Sequence, residues 1–164
     1  MPAGPRVLMV TARFPPYMGG IETHVSEVAP RLVRMGFEIT VLTTDLSGEL
    51  PAREERDGFK VVRIAAYPRD RDYYFAPGIG ARIRPGSYDL VHLQGYHNLV
   101  APLTMAAAWR AKVPYLVSLH SGGHSAAVRR AARGVQRLLL RPGLRRARKI
   151  IAVSRYELEL FSRS

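Results

Sequence analysis

The chain has 164 residues, which fits one ordinary domain and is enough to bury a core without help from disulfides or metal. A hydrophobic share of 47% and a charged share of 23% exclude a disordered chain, and the absence of cysteine excludes disulfide frameworks, thiolate zinc sites and cysteine nucleophiles. Twenty-five basic residues against 13 acidic ones give +12, but residues 128–149 alone carry eight arginines, one lysine and no acid, so +9 of that charge is local.

In chain order, the first apolar run, 6–12, reads as a strand, and its length is far below that of a signal-peptide core or a membrane span. A cytoplasmic protein is the expectation. Residues 21–35 read as a helix: Ile21, Val25, Val28 and Leu32 form one stripe and Gly36 is a stop signal. Pro30 lacks the amide that would bond the Ser26 carbonyl, so the spacing predicts a kink there. Further strands are predicted over 38–43, 59–65, 88–93, 114–119 and 149–153. The stretches 44–58 and 66–87, rich in Pro, Gly and charge, read as loops with at most short helix. Helices are predicted over 98–111 with Asn98 as N-cap, over 125–141, and from Ser154 onward, where Ser154 and Glu157 have capping-box spacing. Several strands are almost continuously apolar and alternate with helices, which predicts an α/β, Rossmann-like, doubly wound parallel sheet.

Ligands of such sheets sit at the carboxyl ends of the strands, so the loops after strands one, four and five are the places to look. The first ends in Gly19-Gly20 at a helix start, where free amides approached without Cβ hindrance suit a phosphate. A tight turn into the helix explains the two glycines equally well. The G-x-G-x-x-G fingerprint of dinucleotide-binding domains and the Walker pattern are both missing, which argues against a dehydrogenase and a P-loop nucleotidase. Asp70-Arg71-Asp72 imitates a metal-binding D-x-D, but it lies in a charged loop and reads as a solvated turn. No spaced cluster of His and carboxylates suggests a metal, and none is expected. His92 falls inside a strand and reads as a satisfied core histidine, while Gln94 to Asn98 follow that strand and are better placed to touch a ligand.

The string Phe14-Pro15-Pro16, Gly19-Gly20-Ile21-Glu22 with His24, and Gly36 to Leu42 closely resembles the opening of retaining family-4 glycosyltransferases. Tyr88 to His92, Pro114 to His120 and Ile150 to Ser154 continue the resemblance in the same order through nearly the whole chain. It implies the N-terminal, acceptor-side half of a GT-B fold, with a C-terminal donor-binding domain absent from this chain. The implied activity is transfer of a sugar from a nucleotide-sugar donor to a hydroxyl of a glycan, lipid-linked or small-molecule acceptor, by a polypeptide inactive alone. The resemblance places Gly19 and Gly20 near the donor diphosphate and assigns His120 a catalytic position after strand five. Glu22, His24, Tyr96, His97, Asn98 and Ser121 are the expected acceptor-side residues. Glu22 also has a purely electrostatic role in the first helical turn.

At 100° per residue, Arg129, Arg130, Arg133, Arg137 and Arg141 share one helix face and Val128, Ala131, Val135, Leu138 and Leu139 the other, with Leu140 alone pointing into the arginines. A solvated surface helix is one reading. The sharper one is a peripheral contact of residues 128–149 with an anionic membrane surface. A rival to the enzyme reading is a basic nucleic-acid-binding module, which the patch disfavours because it lacks interleaved aromatics and a reading motif.

Overall fold

The computed structural model describes residues 4–69, 75–96, 98–120 and 140–154. Seven strands form one sheet: β1 (Arg6–Thr11), β2 (Glu38–Asp45), β3 (Arg53–Arg56), β4 (Phe59–Ala65), β5 (Leu90–Gln94), β6 (Tyr115–Leu119) and β7 (Lys149–Ala152), in the order β3-β4-β2-β1-β5-β6-β7. All neighbouring pairs are parallel except the β3–β4 hairpin. All six strands expected from the sequence are present. The addition is β3, inside the stretch expected to be loop; its sequence, Arg-Glu-Glu-Arg, carries no apolar alternation because it lies at the sheet edge and is mostly exposed.

Side-chain parity along the strands divides the core in two. Val7, Met9, Ile39, Val41, Phe59 and Val61 point to the face covered by α1 (Gly20–Arg34) and meet Val25 and Ala29 there. Leu8, Val10, Leu42, Val91, Leu93, Val117 and Leu119 point to the opposite face, under α2 (Gly78–Arg82) and α3 (Val100–Arg110). The α1 helix runs on through Pro30 without interruption. It ends in a Schellman turn: Gly36 adopts φ +92°, its amide donates to Val33 O at 2.9 Å, and the Phe37 amide donates to Leu32 O at 3.1 Å. The N-cap of α3 is Leu99, one residue after the expected Asn98, whose Oδ1 accepts the Val100 amide at 3.0 Å from just outside the helix.

Residues 140–146 are helical. Leu140 does not face the arginine side as its helical angle suggests: it is buried in the α3-side core with Leu144, one turn on, while Arg141 is exposed. Gly143 permits this approach, because a Cβ there would press Met105 Sδ at 2.9 Å, and the Tyr115 hydroxyl donates to the Gly143 carbonyl. The remainder of the helix expected over 125–141, the helix expected from Ser154 onward, and Asp70 to Asp72 lie outside the described residues.

Since β1 lies between β2 and β5, the connections leave it in opposite directions, and a crevice opens at the carboxyl ends of β1 and β5. Gly95 makes the turn out of β5 there. Its φ is +81°, its amide donates to Ser118 O at 2.8 Å, and an added Cβ would stand 3.2 Å from Ile21 Cδ1 on α1. Gly95→Ala is expected to destabilise the fold by about 1–2 kcal/mol, the cost of a side chain at positive φ plus a crowded contact, read as a lower denaturation midpoint with an unchanged m-value.

Candidate functional site at the carboxyl ends of the strands

On the α1 face, His92 and Gln94 alternate on β5, and Leu116, Ser118 and His120 do so along β6 and just past its end. The register sets Gln94 opposite Ser118 and His92 opposite Leu116. That parity brings the polar side chains into one chain of contacts. His120 Nε2 lies 2.9 Å from Gln94 Oε1, Gln94 Nε2 lies 3.2 Å from His92 Nε2, and Ser118 Oγ lies 2.8 Å from the same His92 nitrogen. Across the crevice, the His24 ring on α1 stands 5.2 Å from the His120 ring, tilted by 59°. His24 follows Gly19-Gly20 by about one helical turn, so the diglycine corner and His120 share one rim.

Burial, reinforced by the neighbouring His24 and His120 rings, lowers the His92 pKa to about 4. With the Gln94 amide nitrogen facing it, neutral His92 takes the tautomer with a lone pair at Nε2 and its proton at Nδ1. The Gln94 amide and the Ser118 hydroxyl then donate to Nε2, and Gln94 Oε1 accepts Nε2–H of His120. The orientation of one amide thus sets the tautomers of the two rings together. A neutral His120 held in this way carries its own lone pair on Nδ1.

The loop before α1 is braced from below. Arg63 on β4, whose side chain is 3% exposed, donates through Nη2 to Pro15 O at 2.9 Å and to Glu54 Oε1 at 3.0 Å, and through Nη1 to Pro51 O at 3.2 Å. Thr44 Oγ1 adds a bond to Ala12 O at 2.6 Å. At the loop's end, Gly19 is the N-cap of α1 in extended conformation, without a side-chain cap. A Cβ at Gly19 would collide with the Glu22 carboxylate, which folds back over the helix start, whereas a Cβ at Gly20 would meet nothing within 4 Å.

Of the residues expected from the sequence, Gly19, Gly20, Glu22, His24 and His120 are brought to this rim. Tyr96 is not: its side chain is 0% exposed and packs in the α3-side core, because the Gly95 turn directs it inward. Asn98 spends its side-chain carbonyl on the Val100 amide at the start of α3. His97 and Ser121 lie outside the described residues. His92 is the bonded, half-buried residue its strand position suggests. The roles of Gln94 and Ser118 as organisers were missed, although their i, i+2 spacing from His92 and His120 carries the signal. Among the described residues no group of three or more His, Cys, Asp or Glu converges on a metal position, and no helix is long and apolar enough to cross a membrane.

Residues 19–164 match the family model of the glycosyl transferase 4-like domain. A search of curated proteins returns no match.

The depressed His92 pKa has a signature in stability. Above pH 6.5 the ring is neutral both folded and unfolded and adds no pH dependence. As pH falls from 6.5 toward about 4, the unfolded chain takes up a proton that the folded protein refuses, so stability is lost across that window, by about 3 kcal/mol in total. Replacing His92 with Gln should flatten the dependence over this interval in denaturation curves taken at a series of pH values. An equally steep dependence in the variant would assign the loss to other groups.

Proposed function

The chain belongs to the glycosyl transferase 4-like family, and from that premise we propose that it is the acceptor-side domain of a GT-B enzyme that moves a sugar from a nucleotide-sugar to an acceptor hydroxyl. The observation that carries the proposal is the oriented chain His120–Gln94–His92, with His24 opposite, at the crevice beside the α1 N-terminus. In this reading Nδ1 of His120 accepts a hydrogen bond from the acceptor hydroxyl, orienting it and drawing on its proton as the glycosidic bond forms. Gln94 accommodates both states, since Oε1 accepts Nε2–H from a neutral ring and from an imidazolium alike. His92, which resists protonation, stays a neutral link behind it.

The free amides at Gly19 and Gly20 would face the diphosphate of the donor, where negative charge grows as the leaving group departs. The open space over Gly20 supports this placement, and it requires the Glu22 carboxylate to swing off Gly19 when the phosphates arrive. His24 and Glu22 then line the acceptor side. Most of the nucleotide contacts are assigned to a second, C-terminal lobe closing over the rim, and retention of anomeric configuration is carried over from the family resemblance alone. No metal is assigned to the reaction, and transfer by this domain alone is not expected.

With the donor-binding lobe present, in cis or added in trans, His120→Ala should lower kcat/KM at least about 100-fold while leaving the denaturation midpoint near that of the parent. Gln94→Leu should cost about tenfold and displace the acidic limb of the pH–rate profile, the mark of a positioning residue. Product formation from nucleotide-sugars, followed by mass spectrometry, reads both. A His120→Ala enzyme within about threefold of the parent would remove the imidazole from the reaction.

A further inference from the structure

The opposite edge of the sheet carries a surface that sugar transfer does not use. From Leu90 to Tyr156 the sequence holds twelve Lys and Arg residues and no Asp or Glu, so the whole +12 excess resides in this stretch. Its fold gathers part of that charge at the amino ends of β6 and β7. The C-terminus of α3 delivers Trp109, Arg110 and Lys112 to this edge, just before β6. Arg148 is fixed beside them, its amide donating to Tyr115 O at 2.8 Å, and Lys149 begins β7. Arg110, Lys112, Arg145, Arg146, Arg148 and Lys149 are all exposed, and no carboxylate pairs with any of them among the described residues.

In the middle of these cations stands Trp109, the only tryptophan of the protein, 59% exposed. The Arg146 guanidinium lies over its ring at 4.9 Å. Next to the ring, between α3 and helix 140–146, an open slot of about 190 Å³ is lined by Pro102, Met105, Trp109, Tyr115, Leu140 and Gly143. An exposed indole, an apolar slot and a ring of unpaired cations within one patch match the chemistry of a bilayer interface, with indole at headgroup level and cations on lipid phosphates. Nucleic acid fits less well. Bases stack on open aromatic faces, yet one face of Trp109 already holds a guanidinium, and a phosphodiester backbone has no use for the slot.

We propose that the β6–β7 amino edge docks the protein on an anionic lipid bilayer through Trp109, Arg110, Lys112, Arg146 and Arg148. The surface takes Arg146 and Arg148 from the basic segment 128–149 and adds Trp109, Arg110 and Lys112 from the end of α3 and the turn after it. It also lies a full strand from His120: the five residues of β6 rise roughly 17 Å at about 3.3 Å each. Docking here leaves the reaction rim facing away from the membrane, so attachment is independent of acceptor binding.

Because Trp109 is the sole indole, its fluorescence reports on this patch alone. With vesicles of phosphatidylcholine containing phosphatidylglycerol, the emission should shift to the blue and rise. Pure phosphatidylcholine should leave it unchanged, and raised salt should reverse the shift. Arg110→Glu with Arg148→Glu should weaken vesicle partitioning at least about tenfold; should that pair disturb the circular dichroism spectrum, Lys112→Gln with Arg148→Gln reads the same effect at smaller amplitude. An emission unchanged by anionic vesicles overturns the proposal, as does a folded variant that binds them like the parent. A shift produced by an oligonucleotide but not by vesicles overturns it in favour of nucleic acid.

Discussion

The site depends on one topological constraint, the placing of β1 between two strands whose connections run opposite ways. Parallel strands need crossovers, and each crossover helix must lie against one face of the sheet. When the chain leaves β1 through α1 to β2, and later returns past β1 to β5, the helices on the two sides diverge above the carboxyl ends of β1 and β5. Nothing in the side chains creates that gap. It is what remains when a doubly wound sheet has satisfied its backbone hydrogen bonds, and His92 and His120 can stay half-buried because it exists. Gly95 is where the constraint is tightest, since the turn out of β5 must pass directly under Ile21.

Within the crevice, the hydrogen-bond polarity of the two rings is coupled through Gln94. An imidazolium at position 92 would lack a lone pair for Ser118 and Gln94, and burial opposes its charge in any case. The direction of the amide and the tautomers of both rings are therefore set together. The energetic weight of this arrangement lies in its consistency: reversing the Gln94 amide alone would set two donors against each other at His120 and leave the His92 Nε2 lone pair facing a carbonyl, so both rings must change tautomer with it. Arg63 plays a comparable part for the loop before α1. A buried guanidinium whose two Nη groups are bonded to two loop carbonyls and one carboxylate holds Pro15 and Pro51 in place relative to β4. Loop and strand ends are thereby fixed to the same sheet, which is what preorganises a rim.

The sequence disclosed the sheet because its inner strands are largely buried and so read as mainly apolar runs, and the exposed edge strand β7 still shows as Ile150-Ile151-Ala152. β3 escaped for the converse reason. An edge strand gains its place mainly from backbone pairing with β4, and of its side chains only Glu54 turns in, to Arg63, while Arg53, Glu55 and Arg56 face water. Residue roles followed the same division. His120 and the diglycine stood out because a strand end and a helix start are visible in one dimension, and the family resemblance pointed to them as well. Tyr96 was misplaced because its direction depends on the positive φ of Gly95, which the sequence permits without requiring. Leu140 was misplaced because its burial is decided by where helix 140–146 meets α3, a tertiary matter. The Gln94–His120 and Ser118–His92 links depend on strand register, and register is a property of pairs of strands that no single segment encodes.

The distribution of charge follows the fold more closely than the linear count suggests. The first half of the sheet, β1 to β4, has nearly balanced charge and forms its ion pairs internally, as in Arg6–Asp89, Arg31–Glu27 and Arg63–Glu54. The second half, from β5 onward, contains no carboxylate up to Glu157, and among the described residues no carboxylate pairs with Arg110, Lys112, Arg145, Arg148 or Lys149. A folded domain tolerates such an imbalance where the charges reach high-dielectric solvent, and the exposure of Arg110, Lys112, Arg145, Arg148 and Lys149 meets that condition. The cost of concentrating like charge is self-repulsion, and an anionic surface is the environment that would reverse its sign. Along the strands, the carboxyl ends collect the imidazoles and the N-terminus of α1, while the amino ends of β6 and β7 collect permanent cations and the one indole. Opposite ends of the same strands can thus carry separate chemistry, since the hydrogen-bonded sheet between them holds both without requiring either to change when the other is occupied.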